Sequence, residues 1–211
     1  MLTVSDRVHH CIDLMAKGQV EFALEQACIA IDVTSKRFFN LPRSEGKRYK
    51  DFIENYSFII ELMALQGVDL EKTQFSNMDI LDYKGSLISE PKISDLIYHL
   101  MRCNLIHDTG LPKNVRLLKG NRVYLGANSI VLPEAIVWGL LAIVVFCPAN
   151  EDEHSCRGYF LSCGENYRWV IDQVWGMEDL VQEAFKAEVT TRVWLKDLAD
   201  IGTGDVRLKG G

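Results

Sequence analysis

The sequence predicts a mainly α protein, an antiparallel helical bundle carrying one small β-hairpin. Three observations point there. Apolar residues recur at helical spacing through 19–39 and again through about 46–66. Capping and stop residues bracket these stretches. One compact pair of β-type runs, over 115–125, is split by the turn residues Lys119–Gly120–Asn121. The chain has 211 residues, enough for one domain or one domain with an appendage, and 48% hydrophobic against 25% charged residues can bury a real core.

In chain order, residues 4–16 form a first helix with Thr3 as its cap. Over 19–39, Val20, Ala23, Leu24, Ala27, Cys28, Ile31 and Phe38 make one stripe. Its small residues at 23, 27 and 30 let another helix approach, and Pro42 ends the element. The next helix, 46–66, has the inner stripe Tyr49, Phe52, Ile53, Tyr56, Ile60 and Met63 and a stop at Gly67. Residues 68–75 add a short helix. Residues 76–92, with Asn77, Gly85, Ser86 and Pro91, read as a long loop.

A helix from Ser94 to about Ile106 follows, with Ser94 as N-cap and Asp95 at the positive end of the dipole. Ile93, Ile97, Leu100, Met101 and Leu105 face inward, and Asp108–Thr109–Gly110 stops it before Pro112. The hairpin comes next. Pro133 then opens an apolar helix over 133–147, at a position where proline is tolerated. A strand at 158–162 pairs with Tyr167–Ile171, and two more helices cover Met177–Glu188 and Thr191–Ala199. The tail 202–211 reads as mobile. The core should include Leu24, Cys28, Ile31, Phe52, Tyr56, Ile97, Leu100 and Val144.

Charge and cysteine usage exclude several classes. A net charge of −6 argues against a broad nucleic-acid face, since phosphate binding needs clustered Lys and Arg, though a small basic groove remains compatible with it. No secretory signal opens the chain, and cysteines such as Cys11, Cys28 and Cys147 sit in apolar runs as free thiols do, so a reduced cytoplasmic setting is expected. The longest apolar run, Ala135–Cys147, has 13 residues, too short to span a bilayer, so no membrane partner is expected. Cys147, His154, Cys156 and Cys163 match no common zinc knuckle, and His9, His10 and Cys11 point apart on a helix, so no metal and no cofactor is expected. The end Val206–Arg–Leu–Lys–Gly–Gly211 is like a ubiquitin-type tail, but such modifiers are small β-grasp domains.

The residues with most chemical content are Arg102 and His107, a permanent cation and a group titrating near neutral pH at the end of an apolar helix. The run Arg102–Cys–Asn–Leu–Ile–His107 resembles the signature of the HEPN superfamily, an Arg, a polar residue and then a His. Residues 23–36 and Leu111–Asn150 are also similar to uncharacterised bacterial HEPN-like proteins. The resemblance covers residues 1–150 and implies a HEPN-like helical domain there, including the hairpin 115–125, with 151–211 a C-terminal extension packed on it. It also implies a metal-independent endoribonuclease of a toxin or anti-phage system, leaving a 2′,3′-cyclic phosphate and a 5′-hydroxyl. Arg102, His107 and Asn104 would be its catalytic residues. His107 would move the proton, Arg102 would hold developing phosphate charge, and Asn104 would orient the histidine or bind phosphate.

On an ideal helix Arg102 and His107 point about 140° apart. The helix must loosen, the arginine must bend round, or two chains must share a site. HEPN enzymes use a two-fold dimer, so a homodimer is expected, with an RNA substrate and an antitoxin or nucleotidyltransferase as partner. Asp95 and Tyr98 share a helical face with Arg102, and together with His99 they are candidates to line the cleft. The same residues also admit a structural reading, with an Asp95–Arg102 ion pair and His107 capping the helix. The alternative function is therefore a non-catalytic HEPN-like interaction module binding a partner protein, nucleotide or RNA. A third reading is a regulator that uses the 76–92 loop as a lid over a small molecule or peptide.

Overall fold

The computed structural model describes residues 2–40, 44–107, 110–154 and 157–193, and the backbone of 205–207. Helix α1 (Val4–Ala16) starts with a reciprocal cap. The Thr3 hydroxyl accepts from the Asp6 amide at 3.0 Å, and the Asp6 carboxylate accepts from the Thr3 amide at 2.8 Å. Gly18, at φ 71°, turns the chain into α2 (Val20–Phe38). Ala23, Leu24, Ala27, Cys28, Ala30 and Ile31 form its buried face. Pro42 lies outside the described residues.

The helix expected over 46–66 is broken at Tyr56 into α3 (Glu45–Asn55) and α4 (Ser57–Ala64). The cause is tertiary. The Tyr56 ring packs on Phe38 and Phe52, and its hydroxyl donates to Glu178 at 3.0 Å, contacts that outweigh one continuous helical ladder. Residues 68–75 are not a helix either. They form a single turn in which the Thr73 amide and hydroxyl both bond the Asp69 carbonyl. Residues 76–92 are irregular, as expected, with a small bridge between Leu81 and Leu87. The next helix has three parts: α5 (Ile93–Asp95), a π-helical stretch Leu96–Arg102, and α6 (Cys103–His107).

The expected hairpin is also corrected. Strands β1 (Val115–Leu118) and β2 (Arg122–Gly126) form, but they do not pair with each other. Strand β3 (Ser129–Pro133) lies between them, parallel to β1 and antiparallel to β2. Its inward Ile130 and Leu132 supply the apolar alternation, and Asn128, at φ 47°, makes the tight turn from β2. Pro133 therefore ends a strand instead of opening a helix. The Glu134 amide supplies the bond to the Leu118 carbonyl at 2.8 Å.

Helix α7 (Ala135–Val145) follows, and most of it is buried from every side against α2 and α4. Gly139 permits this approach: a Cβ there would stand 3.2 Å from Ile60 Cα. A 3₁₀ turn at Pro148–Asn150 leads to the hairpin of β4 (Phe160–Cys163) and β5 (Tyr167–Val170), close to the expected pair, and then to the short α8 (Ile171–Val174) and α9 (Glu178–Glu188).

Of the helix expected over 191–199, residues 191–193 are non-helical, with Val193 bridging Val68, and 194–199 lie outside the described residues. In the tail expected to be mobile, Asp205–Arg207 instead form β6 on the edge of β2. The segment after residue 150 packs on the same core through Val181 and Ala184. It is also clamped there. Arg192 donates to both oxygens of the fully buried Glu61, at 2.7 and 2.9 Å, and to Asp69 at 3.0 Å. Of the expected core, Leu100 alone is only partly buried. The architecture is mainly α, and among the described residues no helix is long and apolar enough to cross a membrane.

Candidate functional site

The helix that carries Arg102 is anchored at its start by Asp95, not by Ser94. The Asp95 carboxylate accepts from the Lys92 amide at 3.0 Å and from Lys50 Nζ at 2.8 Å. Ser94 was expected to cap, but its hydroxyl donates to Glu54 at 2.7 Å. Both residues thus face α3. On an α-helix Arg102 would share that face, seven residues on. The wider π turn over Leu96–Arg102 advances less per residue and turns Arg102 away from Asp95, toward Asp32 of α2 and the first turn of α3. The expected Asp95–Arg102 pair does not form, and Asp95 is not part of the Arg102 cluster.

Arg102 is 7% exposed. Its Nε and Nη2 donate to one oxygen of Asp32, at 3.1 and 2.9 Å, and Nη2 also bonds Glu45 at the first turn of α3. Burial opposes the cation, but the bonds and charges of Asp32 and Glu45 outweigh it and hold the guanidinium above its ordinary pKa. Burial raises the Asp32 carboxyl above the usual carboxylate value, against the pull of Arg102. Its second oxygen is buried with no hydrogen-bond donor among the described residues. The Tyr98 ring lies 5.6 Å from the guanidinium carbon, at cation–π distance.

The structure brings Arg102 and His107 together: Nη1 stands 3.5 Å from His107 Nε2, because the long arginine side chain bends round the helix end. Asn104 does not join them. Its amide donates to the carbonyls of His99 and Leu100, at 3.1 and 2.9 Å, within its own helix.

Tyr98 and His99 line a cavity of about 720 Å³ on the α3 side, with Gly46, Lys47, Lys50 and Tyr83. Gly46 gives the Tyr98 ring its place, since a Cβ there would lie 2.8 Å from the Tyr98 hydroxyl and the ring would have to shift. Burial and then Lys50 lower the His99 pKa, and its buried Nε2 has no partner among the described residues. Of the cysteines once set beside zinc, Cys147 receives a bond from the Tyr56 hydroxyl and Cys163 donates to the Leu62 carbonyl, while Cys156 lies outside the described residues.

The sequence reading missed Asp32 and Glu45. A signal existed for Asp32, a single acid within the otherwise uncharged Ala27–Ser35 on the buried helix. None existed for Glu45, whose role depends on where α3 starts. Chemically, one guanidinium meets two carboxylates. The cluster, before His107 is counted, is acidic and can order a helix end, but it offers little net charge to a phosphate.

The fold and site define a mainly α protein built round a carboxylate-bound Arg–His pair. The chain belongs to the Rv1289 family, whose profile spans residues 3–199. It is 30% identical over 214 residues to "Uncharacterized protein Rv1289" of Mycobacterium tuberculosis, an alignment covering 96% of this chain and 97% of the relative. The same figures hold for "Uncharacterized protein Mb1320" of Mycobacterium bovis. No solved structure matches.

Proposed function

We propose that the protein is a non-catalytic, HEPN-like helical interaction module. One observation carries this reading: the Arg102 guanidinium is buried and bound by Asp32 and Glu45, so the charge a ribonuclease would aim at a phosphorane is already neutralised. Arg102 then acts as a tie between α2, α3 and the helix end, and His107 flanks that tie. The test is purified protein on structured and unstructured RNA with EDTA present. The expected result is no cleavage, with Arg102→Met losing stability and His107→Ala keeping it. Cleavage to a 2′,3′-cyclic phosphate that disappears in His107→Ala overturns the reading.

A second reading is favoured by the 3.5 Å approach of Arg102 Nη1 to His107 Nε2. Here the pair acts as a metal-independent endoribonuclease of a toxin or defence system, completed in a homodimer and held in check by an antitoxin or nucleotidyltransferase partner. It requires Glu45 to swing away so that Nη2 can reach phosphate. Glu45→Gln should then raise cleavage, whereas the first reading expects no cleavage from it.

A further inference from the structure

A groove of about 540 Å³ runs between the start of α2 and α6. Val20 and Leu105 supply apolar surface, and Phe22 stands beside them 60% exposed. Among the described residues, Glu21 and Glu25, one helical turn apart, supply the charges lining it. Glu21 accepts a long contact from the Leu111 amide at 3.4 Å. Glu25 is half-buried and has no hydrogen bond or ion pair among the described residues. Among the described residues no Lys or Arg side chain pairs with either carboxylate, so both can accept a cation from outside.

We infer that this groove docks a cationic amphipathic helix of a partner protein, with Lys or Arg side chains one turn apart on Glu21 and Glu25 and an apolar side chain against Phe22, Val20 and Leu105. The inference rests on the interaction-module reading and names the partner's chemistry. Charge sign selects the occupant. A second copy of this chain, itself at −6, brings the wrong overall charge, and so does an anionic membrane surface. A small polyamine would satisfy the carboxylates but leave Phe22 bare, and exposed aromatics are what protein interfaces bury as anchors. Two carboxylates at i and i+4 match two cations at the same spacing on an opposing helix.

The probe is a fluorescein-labelled Leu/Lys amphipathic helical peptide, with its Leu/Glu counterpart and spermidine as controls. Saturable binding of the Leu/Lys peptide alone is expected. Glu25→Gln and Phe22→Ala should each weaken it about tenfold. Glu165→Gln, on an exposed turn, should leave it unchanged. Amide chemical-shift changes should cluster at residues 19–25 and 105–107.

Several results overturn the inference: no saturable binding, wild-type affinity in both groove variants, or spermidine competition with no effect of Phe22→Ala, which would make the groove a small-cation site. Dimerisation abolished by Phe22→Ala without peptide binding would make it a self-interface. The same preparations are tested on RNA. Cleavage dependent on His107 with peptide binding intact refutes the interaction-module reading alone. Loss of peptide specificity without cleavage refutes the groove alone.

Discussion

Replacing Arg102 by Met separates a structural tie from a catalytic cation. Methionine keeps much of the apolar stem and removes every guanidinium bond. Removing one partner of a fully buried ion pair costs about 3–5 kcal/mol. Here the Asp32 side chain is 20% exposed, so water moderates the penalty, and Glu45, at 54%, relaxes into solvent and adds little. The expected loss is about 2–3 kcal/mol at pH 7, or roughly 4–12 °C in Tm for a chain of this size.

The pH dependence follows from Asp32. Its folded pKa already lies above the unfolded value, so the folded state binds this proton more tightly, and the group favours folding below the unfolded pKa and loses that contribution as pH rises through the folded pKa. Without Arg102 the folded pKa rises further. The Arg102→Met deficit should therefore shrink at acid pH, where Asp32 is protonated, and grow toward neutrality. Equilibrium urea unfolding at several pH values, with Asp32→Asn and the double variant to close the cycle, measures both effects, with a coupling of about 1–2 kcal/mol. A variant within about 0.5 kcal/mol of wild type at pH 7, or a deficit independent of pH, would refute the reasoning.

Two further predictions rest on packing. Arg192→Ala leaves the buried Glu61 and Asp69 without their shared cation and should cost about 3 kcal/mol by urea unfolding, partly restored by adding Glu61→Gln. Gly139→Ala sets a methyl against the Ile60 backbone. The gain in helix propensity should not offset the separation of α4 from α7, so thermal unfolding should show a net loss of about 1 kcal/mol.

The parts of this fold legible in the sequence are those set by local chemistry. Thr3 announces α1, and the small residues of α2 announce close packing. What was not legible depends on distant partners. Tyr56 interrupts a helical stripe because Phe38, Phe52 and Glu178 wait for it. Strand β3 separates two strands that turn chemistry alone would join. In the site, the motif spacing found Arg102 and His107, and their convergence is real. Asn104 looked equivalent in sequence, yet its amide closes on its own helix. Asp32 and Glu45, which decide the charge of the cluster, come from two other helices and carry no motif.

The π turn at Leu96–Arg102 is in effect a one-residue insertion held inside a helix. Winding the same residues as a plain α-helix, with none deleted, would bring Arg102, seven residues after Asp95, round to the face of Asp95 and Lys50. Asp32 would then be left as a buried acid without its cation, and two positive charges would crowd one carboxylate. The winding of this single turn thus acts as a phase selector for the arginine.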